Sequence, residues 1–148
     1  MAKKPAEMVA LISALDPASL TANTYYSDWV LADDFEQWMG IALVGAIATN
    51  GTCDIALVQA TDGSGTGVKD ITGKAATQLT QAGTDSNKQV VLQARTDELD
   101  LAGGFRYIAI EVVTATAATI AGACLLGFNP TYGPASGYDV ASVDEIVG

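Results

Sequence analysis

The sequence contains no histidine, only seven Lys and Arg residues, and two cysteines among 148 residues. Without histidine, the chain cannot form a His-based catalytic triad or dyad, or a histidine-ligated zinc site. The basic residues are scattered, whereas a nucleic-acid surface needs basic side chains clustered on one face. Two cysteines are too few for a disulfide scaffold. The sequence therefore predicts no nucleic-acid partner and no histidine-based chemistry.

Long apolar runs are also missing. The longest apolar stretches are Met39–Ala48 and Ala117–Phe128, and glycine interrupts both. A membrane-spanning helix needs about 20 consecutive apolar residues, so no membrane partner is expected.

Acidic, small and β-forming residues make up much of the chain. Seventeen Asp and Glu residues give a net charge of −10, and 49% of the residues are hydrophobic. This hydrophobic content argues against disorder, and 148 residues correspond to one domain. The abundance of Ala, Thr, Gly and Val favours strands over long helices.

Apolar and polar residues alternate in several segments, as they do in half-buried strands. The alternation is clearest in 25–31, 53–60, 88–96 and 105–114, and 120–128 is the last predicted strand. Residues 37–47 are almost all apolar, which predicts a strand covered on both faces. Asn50-Gly51 predicts a tight hairpin turn. Seven or eight short strands joined by Gly, Asn and Asp turns predict an all-β fold, an antiparallel β-sandwich of jelly-roll type.

Both ends of the chain depart from this pattern. We expect an N-terminal arm at 1–23, a β-sandwich at 24–129 and a C-terminal arm at 130–148. Spacing alone allows residues 6–15 to be helix or strand, and Asp139 is a candidate cap for a short helix reaching Val147. Apolar side chains on the arms are candidate interface residues, because soluble proteins keep exposed apolar patches small. They are Leu11, Ile12, Leu15, Tyr132, Tyr138, Val140, Val143, Ile146 and Val147.

Motifs for bound phosphate or metal fail on spacing. The glycine-rich loop 61–69 ends in Gly67-Val68-Lys69, whereas a P-loop has lysine directly after its last glycine. The acidic stretches 33–36 and 97–100 do not match a calcium loop, and we interpret them as solvated turns. No cofactor, metal or catalytic residue is predicted, and the chain is not expected to be an enzyme.

Four features remain open to two interpretations. Asn50-Gly51-Thr52 matches a glycosylation sequon, but a turn explains it. Cys53 and Cys124 are either buried free thiols or a disulfide. Tyr25, Tyr26, Trp29 and Trp38 belong either to packing surfaces or to a sugar-stacking platform. Glu111 shares a strand face with Tyr107 and Ala109. Either the opposite face of that strand is the buried one, or Glu111 pairs with Arg95 or Arg106.

Three long stretches carry a family resemblance that covers about four-fifths of the chain. They are SDWVLADDFEQWMGIALVGAIA, QATDGSGTGVKDITGKAATQLTQAGTDSNKQVV and GFRYIAIEVVTATAATIAGACLLGFNPTYGPAS. In their general residue pattern and in the order of their segments, they resemble the head decoration, or cement, proteins encoded beside the major capsid gene of tailed bacteriophages and prophages. The resemblance implies a jelly-roll fold and a place on the outer surface of the virion, after synthesis in the bacterial cytoplasm.

The expected function is therefore structural. The chain would bind the outside of an icosahedral head and stabilise contacts between capsomers. Its expected partners are the major capsid protein and further copies of itself, as a homodimer or homotrimer. The alternatives are another virion part, such as a head-fibre base, tail or connector protein, and a carbohydrate-binding adhesion module.

Overall fold

Ten strands, one short helix and three 3₁₀ turns follow one another in the computed structural model, which describes residues 2–148. The helix is α1, Pro5–Met8, and the 3₁₀ turns are Ala32–Asp34, Thr96–Glu98 and Ala135–Tyr138. The strands are β1 (Val9–Leu20), β2 (Asn23–Tyr26), β3 (Val30–Leu31), β4 (Phe35–Ile47), β5 (Thr52–Ala60), β6 (Lys69–Ala75), β7 (Leu79–Thr80), β8 (Gln89–Arg95), β9 (Tyr107–Ala115) and β10 (Thr119–Pro130). No helix among residues 2–148 is long and apolar enough to cross a membrane.

The strands form two antiparallel sheets that pack face to face. The four-stranded sheet has the order β1-β10-β4-β8. The six-stranded sheet has the order β2-β9-β5-β6, and β3 and β7 pair with β9 and β5. Successive long strands mostly cross from one sheet to the other, and strands distant in sequence become neighbours. This order is that of an eight-stranded jelly roll, so the predicted all-β antiparallel sandwich is confirmed.

The core lies between the sheets and includes large side chains from both. Trp38 and Leu125 from the four-stranded sheet meet Leu57 and Ile110 from the six-stranded sheet, and all four are almost fully buried. Gly40 allows this close approach, because a Cβ atom there would lie 3.0 Å from both Ile110 and Leu57. Such burial contributes about 1.5–3 kcal/mol for each large side chain.

A tight turn between β4 and β5 forms where Asn50-Gly51 predicts it, but the predicted hairpin is wrong, because β4 and β5 lie in different sheets and do not pair. Asn50 adopts a left-handed backbone with φ of 62°. The N–H of Gly51 donates to the carbonyl of Ala48, and a Cβ atom at Gly51 would lie 2.9 Å from that same oxygen. Glycine is therefore required for the close approach in this turn.

The predicted N-terminal arm at 1–23 is wrong as a boundary. Residues 9–20 are β1, a full strand of the sandwich that pairs with β10 from Val9 to Leu20. Two register shifts occur, one between Leu11 and Ser13 and one between Leu15 and Ala18. They interrupt the alternation of inward and outward side chains, so the sequence does not show a regular strand pattern here. Residues 6–15 are thus the end of α1 followed by strand.

The C-terminal segment also differs from expectation. β10 ends at Pro130, but residues 131–140 then pack back onto the sandwich instead of projecting from it. Ala135 is fully buried, and the ring of Tyr138 packs edge-on against Phe35 with centroids 5.1 Å apart. No helix forms between Asp139 and Val147. Asp139 instead accepts a hydrogen bond from the backbone N–H of Leu11 at 2.8 Å, and Val140 donates to the carbonyl of Leu11.

Candidate interaction surfaces

The glycine-rich loop between β5 and β6 is closed by its own hydrogen bonds. The carboxylate of Asp62 accepts the backbone N–H groups of Ser64 and Thr66. Hydrogen bonds from the Thr66 side chain and from these N–H groups lower the pKa of Asp62. The N–H groups that a phosphate would need therefore bind a carboxylate of the same loop, as expected for a structural turn.

Each acid of the 97–100 stretch has a different basic partner. Asp97 pairs with Arg95 at 3.0 Å, Glu98 with Lys74 at 3.0 Å, and Asp100 with Lys69 at 2.6 Å. The backbone N–H of Arg95 and the Lys74 side chain lower the pKa of Glu98, and Lys69 lowers that of Asp100. The carboxylates do not converge on one point, and no group of three or more potential ligands that could hold a metal occurs within residues 2–148.

The aromatic residues are packed rather than presented as a stacking platform. Trp38 is 1% exposed, and its Nε1–H donates to the hydroxyl of Thr96 at 3.0 Å. Trp29 is half-buried between the ring of Tyr26, 5.4 Å away, and the loop at Gly65, where a Cβ atom would lie 2.6 Å from the indole nitrogen. The Tyr25 hydroxyl donates to the carbonyl of Thr21. These positions favour the packing interpretation.

The cysteines are both free. Cys53 is buried in the core, and burial raises the pKa of its thiol to about 11. Cys124 is half-buried on the outward face of the four-stranded sheet, opposite Ile41 on β4. The alternative of a disulfide between them is therefore wrong.

The outward face of the six-stranded sheet carries three carboxylates, those of Asp54, Asp70 and Glu111, beside a small apolar cluster that Tyr26 and Trp29 of the same chain cover. Ile108, Ile110 and Val112 of β9 face the core, so Glu111 points outward. Glu111 is half-buried and lies opposite Tyr26 in the pairing of β2 with β9, whereas Arg95 and Arg106 pair with Asp97 and Asp33. Burial raises the pKa of Glu111, the neighbouring Tyr26 hydroxyl lowers it, and the nearby charges of Asp70 and Asp54 raise it further.

The outward face of the four-stranded sheet is apolar. Strand register places three rows of side chains across β1, β10, β4 and β8, and a fourth row across β10, β4 and β8 only. The apolar members are Val9, Leu11, Ala14, Phe128, Leu126, Cys124, Met39, Ile41, Leu43 and Val91. The polar members are Gln37, Gln89, Gln93 and Arg95. None of these register positions carries a carboxylate, in a chain with seventeen.

One consequence is that β4 is covered on one face only. Leu43 is 60% exposed on the outward face, whereas Ala42 and Val44 on the inward face are buried. The expectation that both faces of residues 37–47 are covered is therefore wrong within this chain. A groove of about 300 Å³ runs beside Leu43, between Pro17, Ile120 and Cys124, with Asp16 at its rim.

The terminal segments form a second surface with bare apolar side chains. Three of the exposed large apolar residues, Leu43, Val91 and Ile120, lie on the four-stranded sheet. Another four, Met8, Tyr132, Ile146 and Val147, lie in the terminal segments, and the remaining one among residues 2–148 is Val68. α1 packs against the turn Ala135–Tyr138, so the two ends of the chain meet.

The predicted interface residues fall into three environments. Ile12 is 9% exposed in the core, and Tyr138 packs against that core, so both side chains have partners within the chain. Leu15 also packs against the core, and Leu11, Val140 and Val143 are half-buried. Tyr132, Ile146 and Val147 are 75%, 54% and 82% exposed. Sequence reasoning missed Leu43, Val91 and Ile120, for which the signal was an apolar residue at outward strand positions.

Comparisons with known proteins give distant structural similarity only. No family model and no curated protein matches the sequence. The chain is similar in structure to the Triatoma virus empty capsid, with a TM-score of 0.46 and 11% identity over 86% of this chain and 94% of that one. It is similar to a Broad Bean Stain Virus chain, with a TM-score of 0.46 and 9% identity over 90% and 96%. For infectious bursal disease virus the TM-score is 0.46 and the identity 14%, over 86% of this chain and 34% of that one. The jelly-roll assignment rests on the strand order described above.

Proposed function

We propose that the chain is a structural protein of a virion, a cement protein that binds the outside of an icosahedral head and links neighbouring capsomers. The observation that supports this most is the presence of two separate bare apolar surfaces on one sandwich. Tyr138 of the C-terminal segment packs on Phe35, the first residue of β4, and Leu43 beside the groove lies eight residues further along that strand. At about 3.3 Å per residue, Phe35 and Leu43 are roughly 25 Å apart. A protein that joins two neighbours needs two such surfaces.

Symmetry explains how modest contacts would suffice. A shell repeats each contact many times, and a bridging protein held at two points gains from the effective concentration of the second contact. The net charge of −10 favours an outer position, because packaged DNA would repel a strongly acidic protein. The resemblance to phage decoration proteins supports the same location.

The terminal surface is the proposed contact with the major capsid protein. Ile146 and Val147 extend beyond the part of the C-terminal segment that packs on its own sandwich, and both are more than half exposed. Burying these side chains against a neighbour removes apolar surface from water, which favours binding. Ordering the last residues of the chain costs conformational entropy, so net binding requires that the neighbour offers an apolar pocket.

The alternatives have weaker support. A carbohydrate-binding module would need a platform of exposed aromatic faces, but Trp38 is buried, Trp29 packs against the loop at Gly65, and Tyr132 in the C-terminal segment is the one large aromatic among residues 2–148 that is mostly exposed. A fibre base, tail or connector role would use the same two surfaces, and localisation of the chain on the particle distinguishes it from a head position.

The test is a double substitution, Ile146→Ser with Val147→Ser, in the full chain. Because both side chains are exposed, thermal unfolding should not change. The affinity of the double variant for heads assembled from the major capsid protein, measured by co-sedimentation, should fall at least tenfold. The matched control is Val68→Ser, an exposed valine on the β5–β6 loop that should leave binding unchanged.

Two results would contradict the proposal at different levels. Failure of the unmodified chain to bind heads at all would exclude the cement role. Unchanged binding by the double variant would exclude these side chains from the shell contact. Deleting residues 131–148 is a poorer test, because it would also remove Ala135 and Tyr138 from the chain's own packing.

A further inference from the structure

The outward face of the four-stranded sheet has both a projection and a recess. Leu43 is 60% exposed and projects from β4. The groove of about 300 Å³ beside it is lined by Pro17, Ile120 and Cys124. A twofold axis through such a face would place the Leu43 of each copy at the groove of the other, because in an isologous contact residue i meets j and j meets i. Each copy thus offers the other both a projecting apolar side chain and an apolar groove.

Charge gives an independent reason for this partner. Two copies of a chain with net charge −10 repel one another, and any contact between their acidic surfaces costs free energy. The register positions of this face hold no carboxylate, and their one charge is that of Arg95, which pairs with Asp97. Asp16 at the rim of the groove is the carboxylate beside the proposed contact. The six-stranded sheet instead presents Asp54, Asp70 and Glu111 near one another. Two copies that approach through the four-stranded sheet therefore bring fewer carboxylates together than two that approach through the six-stranded sheet.

The area of the face corresponds to a specific dimer of low affinity. Four strands about 4.8 Å apart and seven paired residues at about 3.4 Å each make a face of roughly 400 Å² in projection. This is in the range of the largest apolar patches on soluble proteins, which are often functional. A pair of such faces lies at the low end of specific interfaces. Such a pair would dissociate on dilution in free solution.

We infer that the outward face of the four-stranded sheet binds the same face of a second copy of this chain, related by a twofold axis. The inference goes beyond the cement role and does not require it, since it concerns the chain without capsids. In a shell, the pair would present two terminal surfaces on opposite sides of the contact.

The experiment is sedimentation velocity on the full chain, from low micromolar to near-millimolar concentration. The unmodified chain should shift from monomer to dimer as the concentration rises. Leu43→Asp should weaken dimerisation at least tenfold, because it places a carboxylate from each copy in the contact. Val68→Asp adds the same charge to an exposed valine elsewhere and should leave dimerisation unchanged. Equal thermal unfolding of the variants shows that they fold.

The reactivity of Cys124 identifies which face is used. Cys124 lines the groove, whereas Cys53 is fully buried and serves as the internal reference. Modification of Cys124 by a thiol reagent should slow several-fold in the concentration range where the dimer forms. A chain that stays monomeric throughout, or a dimer in which Cys124 reacts at the monomer rate, would overturn the inference. If Cys124 is protected from the thiol reagent only when the chain is bound to heads, the face binds a shell subunit rather than a second copy. That result would overturn the inference but would leave the cement role standing.

Discussion

The two sheets of the sandwich share one core but differ on their outward faces. The six-stranded sheet faces outward with Asp54, Asp70 and Glu111, which favour water. The four-stranded sheet faces outward with Leu43, Val91 and other apolar side chains at positions that hold no carboxylate. The six-stranded sheet also has outward apolar residues, but Tyr26 and Trp29 of the same chain pack against them, whereas Leu43 and Val91 are left exposed. The outward difference therefore indicates contact with another protein rather than a requirement of the fold.

The largest expected effect is a difference in unfolding free energy between a leucine that faces the core and a leucine that faces outward. Leu57 is fully buried, whereas Leu43 is 60% exposed. Leu57→Ala should lower the free energy of unfolding by about 2–5 kcal/mol, since it leaves a cavity. Leu43→Ala should lower it by less than about 0.5 kcal/mol. Urea unfolding of both variants, below the dimerisation range, checks this. Equal losses would mean that Leu43 supports folding, and the comparison between the faces would fail.

A smaller effect tests whether β1 is held in the four-stranded sheet by the C-terminal segment. Asp139→Ala removes the acceptor of the Leu11 N–H. It should cost about 1 kcal/mol of unfolding free energy, the usual contribution of one hydrogen bond. Asp144→Ala, on an exposed residue of the same segment, is the control and should have no effect. Hydrogen exchange at Leu11 should quicken in the first variant only, and unchanged exchange would contradict the docking of residues 131–140.

The smallest effect concerns the acidic face and depends on pH. The pKa of Glu111 is raised in the folded state, mainly by burial. The folded chain thus holds this proton more tightly, and its contribution to stability falls as pH rises from the ordinary glutamate pKa through the raised one. Glu111→Gln should therefore stabilise the chain near neutral pH, by less than about 1 kcal/mol because the group is partly solvated. The difference should vanish well below pH 4. A gain that persists in acid would show that packing, not charge, is responsible.

The sequence predicted the fold where the structure is local and missed it where distant contacts decide. The alternation in 105–114 and the turn at Asn50-Gly51 depend on neighbouring residues, and the strand Tyr107–Ala115 and the turn both form. The expected hairpin does not form, because β4 and β5 join different sheets. The sequence left residues 6–15 open between helix and strand, because two bulges break the period of β1 and its partner is the last strand of the chain. The boundary at 130 failed for a similar reason, since Tyr138 packs on Phe35, far away in sequence.

The candidate surfaces were harder to predict than the fold. Residues 37–47 are apolar at both inward and outward positions, and periodicity cannot say which face remains bare. The terminal candidates were chosen as exposed apolar residues, but Ile12 found a place in the core while Ile146 and Val147 did not. Only the three-dimensional structure shows which apolar side chains are buried within the chain and which stay exposed.

The most direct test of the account is an electron cryo-microscopy map of heads that carry this protein. The account predicts that the outward face of the four-stranded sheet packs against a second copy through Leu43. It also predicts that Ile146 and Val147 lie on a shell subunit, and that Glu111 and its acidic neighbours face solvent. A map in which the acidic sheet forms the contact and Leu43, Val91 and Ile120 stay exposed to water would contradict it.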